Sequence, residues 1–255
     1  THSMEYRWLD LKKMPVWIHC KGYLVRDDNM KPLYMIGCIN EIGERQKADN
    51  ISGLLGETGF RQYMNQQDTP LETGYLLRIG IDHFKEINDN FGQEYGDFVL
   101  RKTADCISGC LSEGQKVYKL VADEFLILDV SSDKVRDAEK LYDKVREAID
   151  RFIEANKFKV MYTVSGGIVP FGTLGGDQYS EALKLTDFAL NEAKTLGRNR
   201  CYIFDRETYR KFLRKREITQ ELREAMLNGC QGFAAFYQPV FAEDKKVLYG
   251  AEALM

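Results

Sequence analysis

Residues 119–125 read Lys119-Leu120-Val121-Ala122-Asp123-Glu124-Phe125. The segments on either side, 116–120 and 125–130, read as the two strands of a hairpin around this turn. Working outward, 75–82 predicts a strand, 83–91 and 95–112 predict helices, and 56–67 predicts a helix before them. Downstream, 133–156 predicts a long charged helix. Its Val135, Ala138, Leu141, Val145, Ile149 and Phe152 recur at three- and four-residue spacing. A strand over 158–171, a helix over 181–196 and a strand over 201–204 follow. This alternation predicts an α+β domain, a central sheet with helices packed on one face.

The flanks read differently. Segments 5–10, 14–26 and 33–40 are rich in aromatic and β-branched residues and are separated by turn signals such as Asp27-Asp28-Asn29, which predicts three antiparallel strands. A charged linker helix is expected over 41–50. A second long helix over 205–229 precedes strand-like runs at 233–240 and 247–255. The formal net charge of −3 gives no electrostatic case for DNA or RNA as a partner. No run approaches the roughly 18 apolar residues of a membrane span, so no membrane contact is expected. The six cysteines form no C-x-x-C pair. Cys106 and Cys110 share a helix face at a spacing that suits a metal, but no histidine follows, and all read as reduced thiols of a cytoplasmic protein.

The heptad resembles the R-x-G-G-[D/E]-E-F signature of GGDEF domains, which condense two GTP into cyclic di-GMP. Val121 and Ala122 replace both glycines, while Asp123, Glu124 and Phe125 remain. Other motifs agree in order. Asp49-Asn50-Ile51-Ser52-Gly53-Leu54 is similar to D-x-L-T-G-L, with Phe60 at the family's phenylalanine. Gly80-Ile81-Asp82-His83-Phe84-Lys85-Glu86-Ile87-Asn88-Asp89 is similar to D-x-D-x-F-K-x-x-N-D, and Gly92 to Asp97 is similar to G-H-x-x-G-D. Thr163 to Gly167 is similar to T-x-S-x-G, and Ala193 to Asn199 to A-K-x-x-G-R-N. The resemblance assigns 51–205 to a degenerate GGDEF domain with the palm-like, ferredoxin-related fold of nucleotidyl cyclases.

Residues 4–40, with Cys20-Lys21-Gly22-Tyr23-Leu24-Val25-Arg26-Asp27, resemble the C-terminal part of a PAS domain. Residues 206–255, with Tyr237-Gln238-Pro239-Val240 and Glu252-Ala253-Leu254, resemble a linker helix and the start of an EAL phosphodiesterase domain. The chain therefore reads as a piece of a longer PAS–GGDEF–EAL protein, with residues 1–3 a tag remnant. An EAL barrel closes with eight strands, so its site, including Glu252, is expected to be inert here.

The resemblance implies a Mg²⁺ held by an acid at position 80 and by Asp123. Position 80 is Gly80, so the metal site is expected to be impaired and Mg²⁺ weak or absent, with Asp82, two residues on, as a substitute ligand. Glu124 falls at the catalytic acid, now vestigial. Asn88 and Asp97 fall at the guanine-binding positions; as bland alternatives, Asn88 caps a helix end and Asp97 N-caps the next helix. Lys85, Lys194 and Arg198 fall at phosphate contacts, the last two read as one helix face. His83 is a bystander. Alanine at 122 is tolerable if φ stays negative, and β-branched Val121 is the harder fit. The family's product-feedback motif R-x-x-D falls on Ser112-Glu113-Gly114-Gln115, where both recognition residues are missing. The leading expectation is a regulatory, GTP-binding module for its own EAL domain, with homodimerisation. The alternatives are a weakly active diguanylate cyclase and a relay that binds no nucleotide.

Overall fold

The structure is a computed structural model. It describes residues 2–9, 15–27, 29–41, 49–67, 69–132, 134–156, 160–230, 232–242 and 247–254. The linker helix expected over 41–50 falls mainly on 42–48, outside the described residues; Glu41 ends a strand and Asn50 lies in a turn. The chain divides into two units, Thr1–Phe204 and Asp205–Met255.

The first unit opens with the three expected strands, β1 (His2–Leu9), β2 (Pro15–Arg26) and β3 (Pro32–Glu41), paired antiparallel in sequence order. Asp27 sets the turn between β2 and β3. Its Oδ1 accepts from the backbone N–H groups of Asn29 and Lys31 at 2.9 and 2.8 Å, the local side-chain bonding that makes aspartate a turn residue.

A six-stranded sheet follows, in the order β4 (Leu55–Gly56), β6 (Gln115–Lys119), β7 (Glu124–Asp129), β5 (Tyr75–Ile81), β8 (Val164–Pro170), β9 (Cys201–Ile203). The helices are α1 (Glu57–Asn65), α2 (Phe84–Phe91), α3 (Gln93–Cys110), α4 (Val135–Ala155) and α5 (Gln178–Thr195). Strand β5 lies between antiparallel β7 and β8. Its only residue that is not fully buried is Arg78. The strand expected from 158 starts at Val164 instead.

Helices cover both faces of this sheet, not one. Successive strand residues point to opposite faces, and neighbouring glycines in β8 report what lies on each. A Cβ on Gly166 would meet the Tyr142 ring of α4, whereas a Cβ on Gly167 would meet Ala189 and Leu190 of α5. On the first face Leu77, Ile79 and Ile81 of β5 pack with α3 and α4 through Val99, Ile107, Val145 and Ile149. On the second face α5 covers β5 and β8. The rings of Phe60, Tyr118 and Tyr179 tie α1 and α5 to β6, with centroids 5.5 and 5.6 Å apart. Arg78 and Gly80 therefore face α5.

In the second unit, α6 (Arg206–Leu227) starts at Asp205, whose Oδ2 accepts from the Thr208 backbone N–H at 2.7 Å. Strands β10 (Phe236–Phe241) and β11 (Leu248–Leu254) pair antiparallel. No described helix is long and apolar enough to cross a membrane.

Candidate functional site

The turn between β6 and β7 is closed by the Leu120 N–H donating to the Glu124 carbonyl at 2.9 Å and the Glu124 N–H donating to the Val121 carbonyl at 3.3 Å. Lys119 supports it from inside. Its buried ammonium donates to the Leu120 carbonyl at 2.8 Å and to the Ala122 carbonyl. Burial pulls the Lys119 pKa down, against the attraction of Asp49, Asp123 and Glu124. The glycine losses fall the other way round from expectation. Ala122 sits at φ +55°, the left-handed region that glycine enters freely, whereas Val121 stays out of that region with its side chain 72% exposed. Alanine is the strained replacement, and valine is the easy one.

Beside this turn lies a cleft of about 460 Å³ bounded by Asp49, Phe84, Asn88, Asp97, Lys119 and Ala122. Asn88 and Asp97 come from different helices and meet there. Neither is a helix cap: Asn88 is inside α2, Asp97 is inside α3, and the residue that opens α3 is Gly92, with no side-chain capping bond. Asn88 Oδ1 is buried without a hydrogen-bond partner among the described residues. A Cβ on Gly96 would fall 1.8 Å from that oxygen, so glycine is what leaves Asn88 its place. The cleft is walled on one side by the loop at Asp49, whose Oδ1 accepts from the Ser52 backbone N–H and hydroxyl, both at 2.7 Å. Burial opposes the Asp49 charge, but the Ser52 hydrogen bonds and the Lys119 charge outweigh it and hold its pKa below 3.8.

A second cluster forms over Gly80, on the α5 face of the sheet. Gly80 is the cross-strand partner of Glu124. Arg78, two residues back on the same face, donates its Nε to Glu124 Oε2 at 2.7 Å, and its terminal nitrogen also pairs with that oxygen. Arg78 further donates to the Leu183 carbonyl at 3.1 Å and pairs with Asp187 at 3.2 Å. The Lys194 ammonium is 3.8 Å from Glu124 Oε1. A Cβ on Gly80 would stand 3.0 Å from the Lys194 nitrogen and 3.1 Å from Leu190 Cδ2. Asp123 adjoins the same cluster; burial pushes its pKa up, with Lys194 opposing and Glu124 adding to the rise.

Asp82 is 2% exposed and already engaged. Its carboxylate accepts from the hydroxyls of Thr163 and Ser165 at 2.7 and 2.8 Å and from the Asn199 backbone N–H at 3.2 Å. These bonds tie β5 to β8 and to the segment after α5. His83, at φ +57°, pairs its Nδ1 with Glu86 at 2.7 Å. Of the three expected phosphate contacts, Lys85 is exposed on α2. Lys194 and Arg198 do not share a helix face: α5 ends at Thr195, Gly197 turns the chain at φ +116°, and Arg198 follows at φ +60°. Arg78 and Lys119 are site residues that the sequence reading missed. The signal was present for Arg78, a lone cation in the otherwise apolar run Tyr75–Ile81.

Residues 47–200 match the family described as diguanylate cyclase, GGDEF domain, and the chain belongs to that family. The α+β sheet described above is its palm-like fold. Among curated relatives, the chain is 28% identical over 221 residues to the cyclic di-GMP phosphodiesterase NbdA of Pseudomonas aeruginosa, covering 83% of this chain and 27% of that protein. It is 26% identical to the diguanylate cyclase VdcA of Vibrio cholerae, over 71% of this chain and 55% of that one. Among solved structures, the isolated GGDEF domain of TpbB, or YfiN, from Pseudomonas aeruginosa aligns with a TM-score of 0.55 at 24% identity, over 65% of this chain and 99% of that one. The chain thus spans about a quarter to a half of the length of these curated relatives.

Proposed function

We propose that this chain is a catalytically impaired GGDEF domain that binds a guanine nucleotide without condensing it. In its full-length protein it acts as a regulatory module for an EAL phosphodiesterase domain. The observation that carries the reading is the unpartnered Asn88 Oδ1 in a cleft shared with Asp97. Guanine offers donors at N1 and N2, and two acceptors from separate helices suit that edge, whereas a base with another donor pattern would leave buried polar groups unpaired. Lys194, Arg198 and Lys85 supply cations for the phosphates.

Impairment is supported by Gly80, which has no carboxylate to offer, and by Ala122, whose Cβ projects at a strained backbone position. Loss of a metal carboxylate removes several kcal/mol of transition-state stabilisation, about a hundredfold or more in rate. Asp82 does not make up the loss in this reading, because three donors hold its carboxylate in the fold. The flanking assignments, PAS-like before the domain and EAL-like after it, rest on motif resemblance. A relative named as a phosphodiesterase aligning over 83% of this chain is consistent with them.

Calorimetric titration with GTP, with ATP as control, tests the proposal. Micromolar binding selective for GTP is the expected outcome. Absence of binding at millimolar GTP refutes it and leaves a relay without a ligand.

A further inference from the structure

Mg²⁺ takes near-octahedral oxygen coordination and needs carboxylates free to face it. Around Gly80 one acid, Asp123, adjoins the cluster, and the other residues do not offer that. Position 80 contributes no oxygen. Glu124 Oε2 is occupied by the Arg78 guanidinium, which Asp187 and the Leu183 carbonyl hold in place from α5. The other Glu124 oxygen faces the Lys194 ammonium at 3.8 Å. That ammonium lies 3.0 Å from the point where a side chain at 80 would begin, so it fills the space a ligand from β5 would use.

We infer that Lys194 and Arg78 stand in place of the divalent cation at Glu124, closing the site to metal. Two side-chain charges flank the acid, and a metal ion entering beside it meets the ammonium, where like charges repel. With no side chain on Gly80, the lysine lies over the strand. The nucleotide corollary rests on the function proposed above. A triphosphate held here binds as the metal-free anion, its charge met by lysine and arginine.

The closure is tested with Mn²⁺ alone, followed by electron paramagnetic resonance. The wild-type protein is expected to leave the Mn²⁺ signal unchanged. A variant combining Gly80→Asp with Lys194→Met, which restores the acid and removes the ammonium while keeping the lysine's apolar stem, is expected to quench it, with thermal melting confirming its fold. Wild-type quenching that disappears in Glu124→Gln overturns the inference. A folded double variant that still leaves Mn²⁺ free overturns the roles given to Gly80 and Lys194. In the nucleotide arm, equal GTP affinity with Mg²⁺ and with a chelator supports the corollary. A tenfold or greater requirement for Mg²⁺ overturns it while leaving guanine binding intact. No GTP binding in either condition refutes the proposed function, and the Mn²⁺ arm still decides the closure.

Discussion

The cleft around Asn88 and the cluster over Gly80 are joined by one hairpin turn, yet they differ in what their polar groups are bonded to. In the cleft both polar side chains are in place, one with a buried and unpartnered oxygen, and Gly96 preserves the room that oxygen needs. Over Gly80 the strand offers no side chain, and Glu124 is held by cations. The difference teaches that recognising a base and transferring its phosphate make separable physical demands. Recognition needs two hydrogen-bonding groups placed by helices packed on a rigid sheet. Transfer needs a concentration of negative charge that a metal makes tolerable, and on the proposed function Gly80 leaves it one acid short.

The largest effect that separates the two regions is structural. Arg78→Ala leaves Glu124 largely buried with its closest partner removed, and about 3 kcal/mol of stability is expected to be lost, read by denaturant unfolding. If Arg78→Ala unfolds like the wild type, the arginine does not clamp the acid. In the cleft, Asn88→Ala or Asp97→Ala is expected to weaken GTP binding by about 1–3 kcal/mol, roughly tenfold to a hundredfold, with no matching loss of stability. Gly96→Ala should do the same without removing a polar group, because its Cβ collides with Asn88 Oδ1. Unchanged affinity in all three would detach the cleft from nucleotide binding.

The turn gives a smaller effect. Ala122→Gly relieves the left-handed backbone and is expected to add about 1 kcal/mol of stability, whereas Val121→Gly adds none because valine is unstrained there. Equal gains at both positions would contradict the turn geometry. Smallest is a pH effect at Asp49. Its folded pKa lies below the ordinary 3.8, so its contribution is fully present above that value and lost as pH falls through the folded pKa. Asp49→Asn should therefore destabilise the protein at neutral pH, with the gap to wild type closing below pH 3.8. A gap that is constant with pH would mean that the Asp49 charge contributes nothing.

Much of this was legible in the sequence. The hairpin and the long amphipathic helices follow from patterning along the chain, whereas the site roles of Asn88, Asp97, Asp123 and Glu124 rest on motif resemblance, to which the structure adds only their positions. The two-residue strand β4 carries too short a pattern to be read. Which face of the sheet each helix covers depends on tertiary packing, visible only in what Gly166 and Gly167 touch. The Lys194–Arg198 pairing failed because Gly197 ends the helix between them. The position of Lys194 over Gly80 depends on how α5 lies across β5, which no local pattern encodes.

The central claim is that guanine nucleotide is held but not converted. It is tested most directly by incubating the chain with GTP, in Mg²⁺ and in Mn²⁺, and analysing the retained and released nucleotide by mass spectrometry. GTP recovered unchanged from the protein, with no cyclic di-GMP in either metal, is the expected result. Accumulation of cyclic di-GMP over repeated turnovers would contradict it.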